Sequence, residues 1–309
     1  LLGGLGFLGW ALLVAGGCGG RDGEVVVYAA QDRVFAEPLM REYERANGVR
    51  VRVLYDNEAT KTVGLANRLL AESGRPRADL WWSNEEMRTR QLVARGVLEP
   101  GWKAVGNRRR VLVVRTGTEA GVGLGGGQGA RLAVLTNAAW RGRVALAYPV
   151  FGSTSTHFLA LRERWGEEAW RAWCVALAGN RPLVVDGNSV VVRMVGSGQA
   201  DVGLTDSDDV AFGRREGLAV EEVPLAAGDG LVIPNSVALV RGSGRRLAAE
   251  GLAAYLAGAE ALGRLREAGA LELGGEGVEG ADGLGEAEWA RLLGGMDGSL
   301  EELKRIFLR

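Results

Sequence analysis

Short β-branched runs alternate with helix-period runs along nearly the whole chain, and this alternation constrains the fold more than any other feature. Glu24–Ala30 (EVVVYAA) reads as a nearly fully buried strand. Phe35, Leu39, Tyr43 and Ala46 then recur at helical spacing, with Gly48 as the stop. Val49, Val51 and Val53 alternate with arginines, as in a half-exposed strand. A helix carrying Val63, Ala66 and Leu70 is expected next, capped by Thr60 and ending at Gly74. Ala78–Trp82 follows as a strand and Glu85–Arg95 as a helix. The rhythm returns after residue 140: strands at Val144–Tyr148, Leu183–Val185 and Ala200–Leu204, helices at Thr156–Ala178 and Ser189–Val195. Leu231–Val240 reads as extended, and Arg245–Ala257 and Glu260–Ala268 as helical. The order implies an α/β fold with largely parallel sheet. Arg108–Arg115 is expected to cross between the two α/β blocks, with the Gly-rich 121–129 as a surface loop. Trp289, Leu292, Leu293, Leu300, Leu303 and Phe307 place one or two docked helices in 286–309.

A chain of 309 residues, 47% of them hydrophobic, is long enough for two ordinary domains. Its 37 basic and 38 acidic residues nearly cancel, which argues against a nucleic-acid or anionic-membrane footprint. Residues 1–17 are apolar and uncharged but shorter than the roughly 20 residues of a membrane span, and glycines break them. They fit the apolar region of a secretory signal, its true start expected upstream of Leu1. Ala15-Gly16-Gly17-Cys18 resembles a bacterial lipoprotein signal, although the usual Leu three residues before the Cys is absent. A lipid anchor at Cys18 is therefore expected, with simple cleavage as the alternative. Cys174, inside AWCVAL, is expected as a small buried hydrophobe, leaving no intrachain disulfide.

VVVYAAQDRVFAEPLMREYERANGVRVRVLYDNEATKTVGLANRLLAE, ADLWWSNEEMRTRQLVARGVLEP, WRGRVALAYPVFGSTSTHFLAL, DGNSVVVRMVGSGQADVGLTDSDDVAFGRREG and LVIPNSVALVRG occur in that order. Together they resemble bacterial ferric-iron-type ABC-transporter substrate-binding proteins, from about Glu24 to about Gly269. The resemblance implies a type II periplasmic-binding fold: two α/β lobes, crossover strands and a ligand cleft. It implies a non-enzymatic, periplasmic or extracytoplasmic binding protein serving an ABC permease and ATPase. A monomer without resident cofactor is expected. Residues 1–20 would be the signal or lipoprotein segment, 21–110 with 235–270 one lobe, 111–234 the other, and 271–309 C-terminal helices.

One departure bears on the cargo. Ferric-binding members carry adjacent tyrosines after the strand that here reads ADVGL, and this chain has Thr205-Asp206-Ser207-Asp208-Asp209. Asp208 and Asp209 stand where the phenolates would be, and Gln31 is followed by Asp32 rather than histidine. Asp208 and Asp209 are thus the candidate metal ligands, with Asp206 and Asp32 beside them. Clustered carboxylates favour a positive ligand, although acids opening a helix also complement its dipole. Ser153, Thr154 and Ser155 precede a long helix, and Asn188 enters another; both are natural anion sites, or ordinary caps. Relatives hold a phosphate- or carbonate-like co-anion near the first. Glu58 and Thr60, and Ser83 and Asn84, end strands where open α/β sheets place ligands. One of Trp81 and Trp82 should face the core and the other the cleft or solvent. Tyr28 is expected to be structural.

Iron(III), with a co-bound anion, is the first expectation for cargo; an organophosphate or phosphonate, or a sensor role for the same fold, are alternatives. Enzymatic readings fail on the residues. Gly121–Gly126 matches GxGxxG without a following apolar helix or an acid some twenty residues on. His157 is the only histidine and no GxSxG accompanies it.

Overall fold

The computed structural model describes residues 24–56, 62–118, 129–271 and 283–308. In β1 (Glu24–Ala29), Val25, Val27 and Ala29 turn to one face and Val26 and Tyr28 to the other, so the strand is buried on both. It lies parallel to β2 (Arg50–Tyr55) and β3 (Leu80–Ser83), with α1 (Arg33–Asn47) between β1 and β2. Gly48 ends α1 in the left-handed region, φ 65°. After α2 (Val63–Ala71) and α3 (Met87–Ala94) comes β4 (Lys103–Arg115), whose 13 residues span both halves of the molecule.

The second half repeats the logic. β5 (Val144–Ala147) pairs in parallel with β6 (Leu183–Val185) and β7 (Val202–Asp206). β8 (Val220–Pro224) adds an antiparallel partner for β4, and β9 (Val232–Leu239) returns antiparallel to β3. Lys103–Arg109 of β4 pairs with β9, whereas Arg110–Arg115 pairs with β7 and β8. The strand order is β2-β1-β3-β9-β4-β7-β5-β6. β4 and β9 are therefore the crossover strands joining two α/β lobes, each parallel away from the junction.

Helices cover both faces of each half. α4 (Gly152–Trp165), α5 (Glu167–Gly179), α6 (Asn188–Gly196) and α7 (Ser207–Arg215) belong to the second; α8 (Arg246–Leu256) and α9 (Ala259–Glu267) pack on the first. α10 (Glu286–Phe307) sets Trp289, Leu292, Met296, Leu300 and Leu303 against Phe158, Trp170 and Trp173. Its first turns also reach α3, where the Arg90 guanidinium lies 4.8 Å from the Trp289 ring and pairs with Glu286 at 2.9 Å. No helix among the described residues is long and apolar enough to cross a membrane.

The tail is one 22-residue helix, where one or two were expected. Three readings change. Thr156–Ala178 is two helices opening at Gly152, because Gly166 (φ 81°) breaks the run. β8 was not expected, since VEEVP carries two acids and a proline; it is an edge strand, where those residues are tolerated. Trp81 and Trp82 are both fully buried, because β3 is covered on both faces. Tyr28 and Cys174 are buried as expected, and burial raises the Cys174 thiol pKa. Cys18 lies outside the described residues.

β4 shifts register between Ala104 and Asn107, and Gly106 sits in that irregularity with φ 83°. A Cβ there would stand 2.3 Å from Leu271 Cδ1. Gly106→Ala therefore meets both a backbone penalty and a clash, an expected loss of about 1–3 kcal/mol in urea unfolding. An unchanged midpoint would show that the crossover tolerates a side chain.

Candidate functional site

The site grows from the register of β4 on β7. Arg110 lies directly opposite Asp206, and the two-residue period of a strand sends Arg108 to the same side. Both arginines are almost wholly buried, a position such side chains occupy only when paired. Arg110 Nη1 lies 2.6 Å from Asp206 Oδ1, and Arg108 Nε 3.3 Å from Asp206 Oδ2. Arg108 Nη1 reaches Asp208 Oδ2 at 3.1 Å, and its Nη2 donates to the carbonyl oxygen of Asn84, just past β3. Ser153 Oγ and Asn188 Nδ2 donate to Asp206 Oδ2 at 2.6 and 2.9 Å.

The charge states follow. Burial alone would raise the Asp206 pKa, but Arg110, Arg108 and the Ser153 hydroxyl outweigh it and hold the carboxyl below its usual range. Burial likewise opposes the charge on Arg108; Asp208, then Asp206, Asp209 and Asp32, overcome it and raise its pKa. His157, buried and facing Arg110, is pushed down to about 3 and stays neutral. Its Nδ1 accepts from Arg110 Nε at 3.4 Å, and its Nε2–H donates to the Asp229 carbonyl at 2.7 Å. It is a structural histidine.

Around this network is a small cavity of about 30 Å³. The N-termini of α4 (Gly152, Ser153, Thr154) and of α6 (Gly187, Asn188) form one wall. Asp32 and Asn84 from the first lobe, and Asp186, Asp206 and Asp209 with Ala147, Tyr148 and Phe151 from the second, complete it around Arg108. First-turn amides of a helix have no intrahelical acceptor, so two such ends present N–H groups to the cavity. A second chamber of about 240 Å³ shares Asp32 and Asp209 with the first. Phe35 of α1 and Phe212 of α7 line it, their rings edge-to-face at 5.9 Å.

Of the residues singled out in the sequence, Asp32, Asn84, Ser153, Thr154, Asn188, Asp206 and Asp209 meet at the first cavity, and Asp208 faces the second chamber. Three do not line either. Gln31 Oε1 accepts from Asn235 Nδ2 at 3.1 Å, Ser83 Oγ accepts from the Glu85 amide, and Ser155 Oγ donates to the Gly152 carbonyl. Glu58 and Thr60 lie outside the described residues. Asp206 is the residue that precedes the first turn of α7, and Ser207 Oγ accepts from the Arg109 amide at 3.0 Å. The sequence reading missed Arg108, Arg110, Asp186, Phe35 and Phe212. RRRVLVVR held the signal for the arginines, since charges at alternate positions of a buried crossover strand need buried partners.

Oxygens of Asp206, Asp208 and Asp209 lie within 4.8 Å of one another, close enough to share an ion. Two of those carboxylates are already neutralised by guanidinium groups.

A cleft between two α/β lobes, lined by helix N-termini and loop ends, is the architecture of a solute-binding protein. Residues 25–271 match the family model of the bacterial extracellular solute-binding proteins, and the chain belongs to that family. It is a binding protein rather than an enzyme. No curated protein matches at the sequence level. Among solved structures, iron-bound HitA from Pseudomonas aeruginosa superposes with a TM-score of 0.74 at 17% identity, over 92% of this chain and 99% of that one. Apo ferric ion-binding protein A from Pasteurella haemolytica gives 0.77 at 17%, covering 92% and 97%. The periplasmic binding protein AfuA from Actinobacillus pleuropneumoniae, with fructose-6-phosphate bound, gives 0.72 at 17%, covering 92% and 96%. Identities this low establish the shared fold alone.

Asp206→Ala would leave two guanidinium groups buried without their shared partner. The expected loss is about 3–5 kcal/mol of unfolding free energy, and Asp206→Asn should lose less. Because the folded pKa is depressed, the stabilisation is present above the ordinary carboxylate value and is lost as pH falls through the depressed one. Wild type should therefore lose stability steeply below about pH 4, and Asp206→Asn should show a shallower acid limb. Identical acid limbs would contradict the ion-pair assignment.

Proposed function

We propose that this chain is the exported solute-capturing component of an ABC importer, and that its cargo carries an oxygen-rich anionic head of the phosphate or phosphonate kind. One observation carries the reading. The N-termini of α4 and α6 converge on a cavity where Asp206 is already paired with Arg108 and Arg110, and the adjacent Asp208 is paired with Arg108. The backbone amides of Ser153, Thr154 and Asn188 are suited to tetrahedral oxygens, while the Ser153 hydroxyl and the Asn188 side-chain amide hold Asp206. The division into 21–110 with 235–270 and 111–234 is supported by the core clusters: two are built almost entirely from the first set, and the others, Met87 apart, from the second set and the C-terminal helix. Capture follows from hinge closure, which a solute drives only by binding the closed arrangement better than the open one. An ABC permease would then read the closed form.

The second reading, iron(III), has one observation in its favour: the three carboxylate oxygens within 4.8 Å. A ferric ion there would face the Arg108 guanidinium, which stands 3.1 Å from Asp208, and would have to displace it. Repulsion between the two cations makes this the weaker arrangement.

Isothermal titration calorimetry with ethyl phosphate, methylphosphonate and ferric citrate separates the two. Saturable binding of a phosphorus compound is expected, weakened at least about tenfold, or ~1.4 kcal/mol, by Ser153→Ala with Asn188→Ala. Stoichiometric uptake of iron with no heat from either phosphorus compound would overturn the proposal.

A further inference from the structure

The end of the first lobe opposite the cleft carries a one-signed surface that the nearly cancelling total charge conceals. β1, β2 and β3 start there, β9 runs out there, and α1, α2 and α3 end there. Arg45, Arg50, Arg75, Arg77, Arg95 and Arg241 stand exposed on these strand starts and helix ends. None of them has an ion-pair partner among the described residues. The acids of the same end are already engaged: Asp79 by Arg245 and Ser243, Glu72 by Arg68 and Tyr28, Glu99 by Arg246, and Glu24 by Arg52. Arg45 and Arg95 also complement the C-terminal ends of α1 and α3, but Arg50, Arg75, Arg77 and Arg241 belong to no helix.

Two further features set this end apart from an ordinary solvated rim. A cavity of about 320 Å³ opens on it, floored by the buried Leu69, Val97 and Val240, with Glu72, Ser73 and Arg241 among its polar lining. Leu247, 83% exposed, stands beside Arg246 in the first turn of α8. Arginines surrounding accessible apolar side chains match the boundary of a bilayer, where basic heads stay at phosphate level and apolar groups enter below.

The chain itself indicates which anionic surface is within reach. Glu24, which opens β1 at this end, follows the expected lipid-anchor residue Cys18 by six positions. Six residues reach at most about 20 Å, so an acyl chain on Cys18 keeps this end of the first lobe beside the bilayer. Attraction between a basic face and anionic lipid acts over about 10 Å at 0.1 M salt. The tether therefore supplies the approach and the arginines the contact.

Going beyond solute capture, we infer that the far end of the first lobe is a docking face for an anionic phospholipid surface. Arg75, Arg77 and Arg241 meet lipid phosphates around the cavity, and Leu247 enters the interfacial layer. The face lies at the opposite ends of β1 and β3 from Asp32 and Asn84, so docking leaves the cleft free to close.

The test is co-sedimentation with vesicles of the exported form, residues 18–309, which contains every described residue. Cys18→Ser removes any contribution from an acyl chain. Vesicles of equal parts phosphatidylcholine and phosphatidylglycerol should bind it at least about tenfold more tightly than phosphatidylcholine alone, and about 1 M salt should abolish the difference. Arg75→Gln, Arg77→Gln and Arg241→Gln together should weaken binding at least about tenfold. Removing equal charge from the second lobe, at the exposed Arg141, Arg181 and Arg214 (each →Gln), should change it less than about twofold. Arg77→Gln with Leu247→Ser tests the same face should the first triple variant fail to fold. Equal losses from the two triple variants would overturn the assignment of the face. Equal binding to both vesicle types would overturn the lipid partner, as would binding to soluble polyphosphate without binding to vesicles. None of these outcomes depends on which solute the cleft takes.

Discussion

The ion-pair network joining Arg108 and Arg110 to Asp206 and Asp208 is the constraint around which the rest of the molecule is arranged. Four charges have been taken out of water at the point where the lobes meet, each at a desolvation cost of several kcal/mol, and only close geometry offsets that cost. The geometry comes from backbone register: Arg110 faces Asp206 across the β4–β7 ladder, and Arg108 follows two residues away. Ser153 and Asn188 then satisfy the remaining lone pairs of Asp206, which draws the N-termini of α4 and α6 to the same place. Arg108 also binds the Asn84 carbonyl, so the network touches both lobes. A well-packed apolar cluster would stabilise the junction as well. What charge contributes here is position, since each partner fixes one wall of the cleft.

This arrangement bears on cargo more directly than fold similarity does. Structures of the same fold hold an iron ion in one case and fructose-6-phosphate in another, so the fold leaves the solute open. In this chain Asp208 and Asp209 open the helix after β7, and Asp208 is answered by an internal guanidinium. An acidic cleft that carries its own cation is a poor trap for a second, trivalent one.

Much of the architecture was legible in the sequence because burial is written in periodicity. β1 is a continuous apolar run buried on both faces, α1 repeats its apolar residues at helical spacing, and Gly48 ends α1 in a left-handed conformation that glycine adopts without strain. Gly166 shows the limit of that reading. The apolar spacing of 156–178 runs straight through it, and only its φ of 81° breaks the helix. The site was half legible. Polar residues at strand ends and helix starts, such as Asn84, Ser153, Asn188 and Asp206, could be picked out by local rules. Ser155 obeys the same rules yet turns its hydroxyl back to Gly152, because neighbouring positions on a helix face different ways. Arg108 and Arg110 were missed for a different reason: RRRVLVVR marks them as charges on a buried strand, but their partners are about a hundred residues away and nothing local names them.

A crystal structure of the protein grown with ethyl phosphate and ferric citrate both present tests the central claim most directly, since anomalous scattering distinguishes iron from phosphorus. The account predicts a phosphoryl group against the amides of Ser153, Thr154 and Asn188, with the Arg108–Asp206–Asp208 contacts intact. Iron held by Asp206, Asp208 and Asp209, with the Arg108 side chain swung out of the cleft, would contradict it.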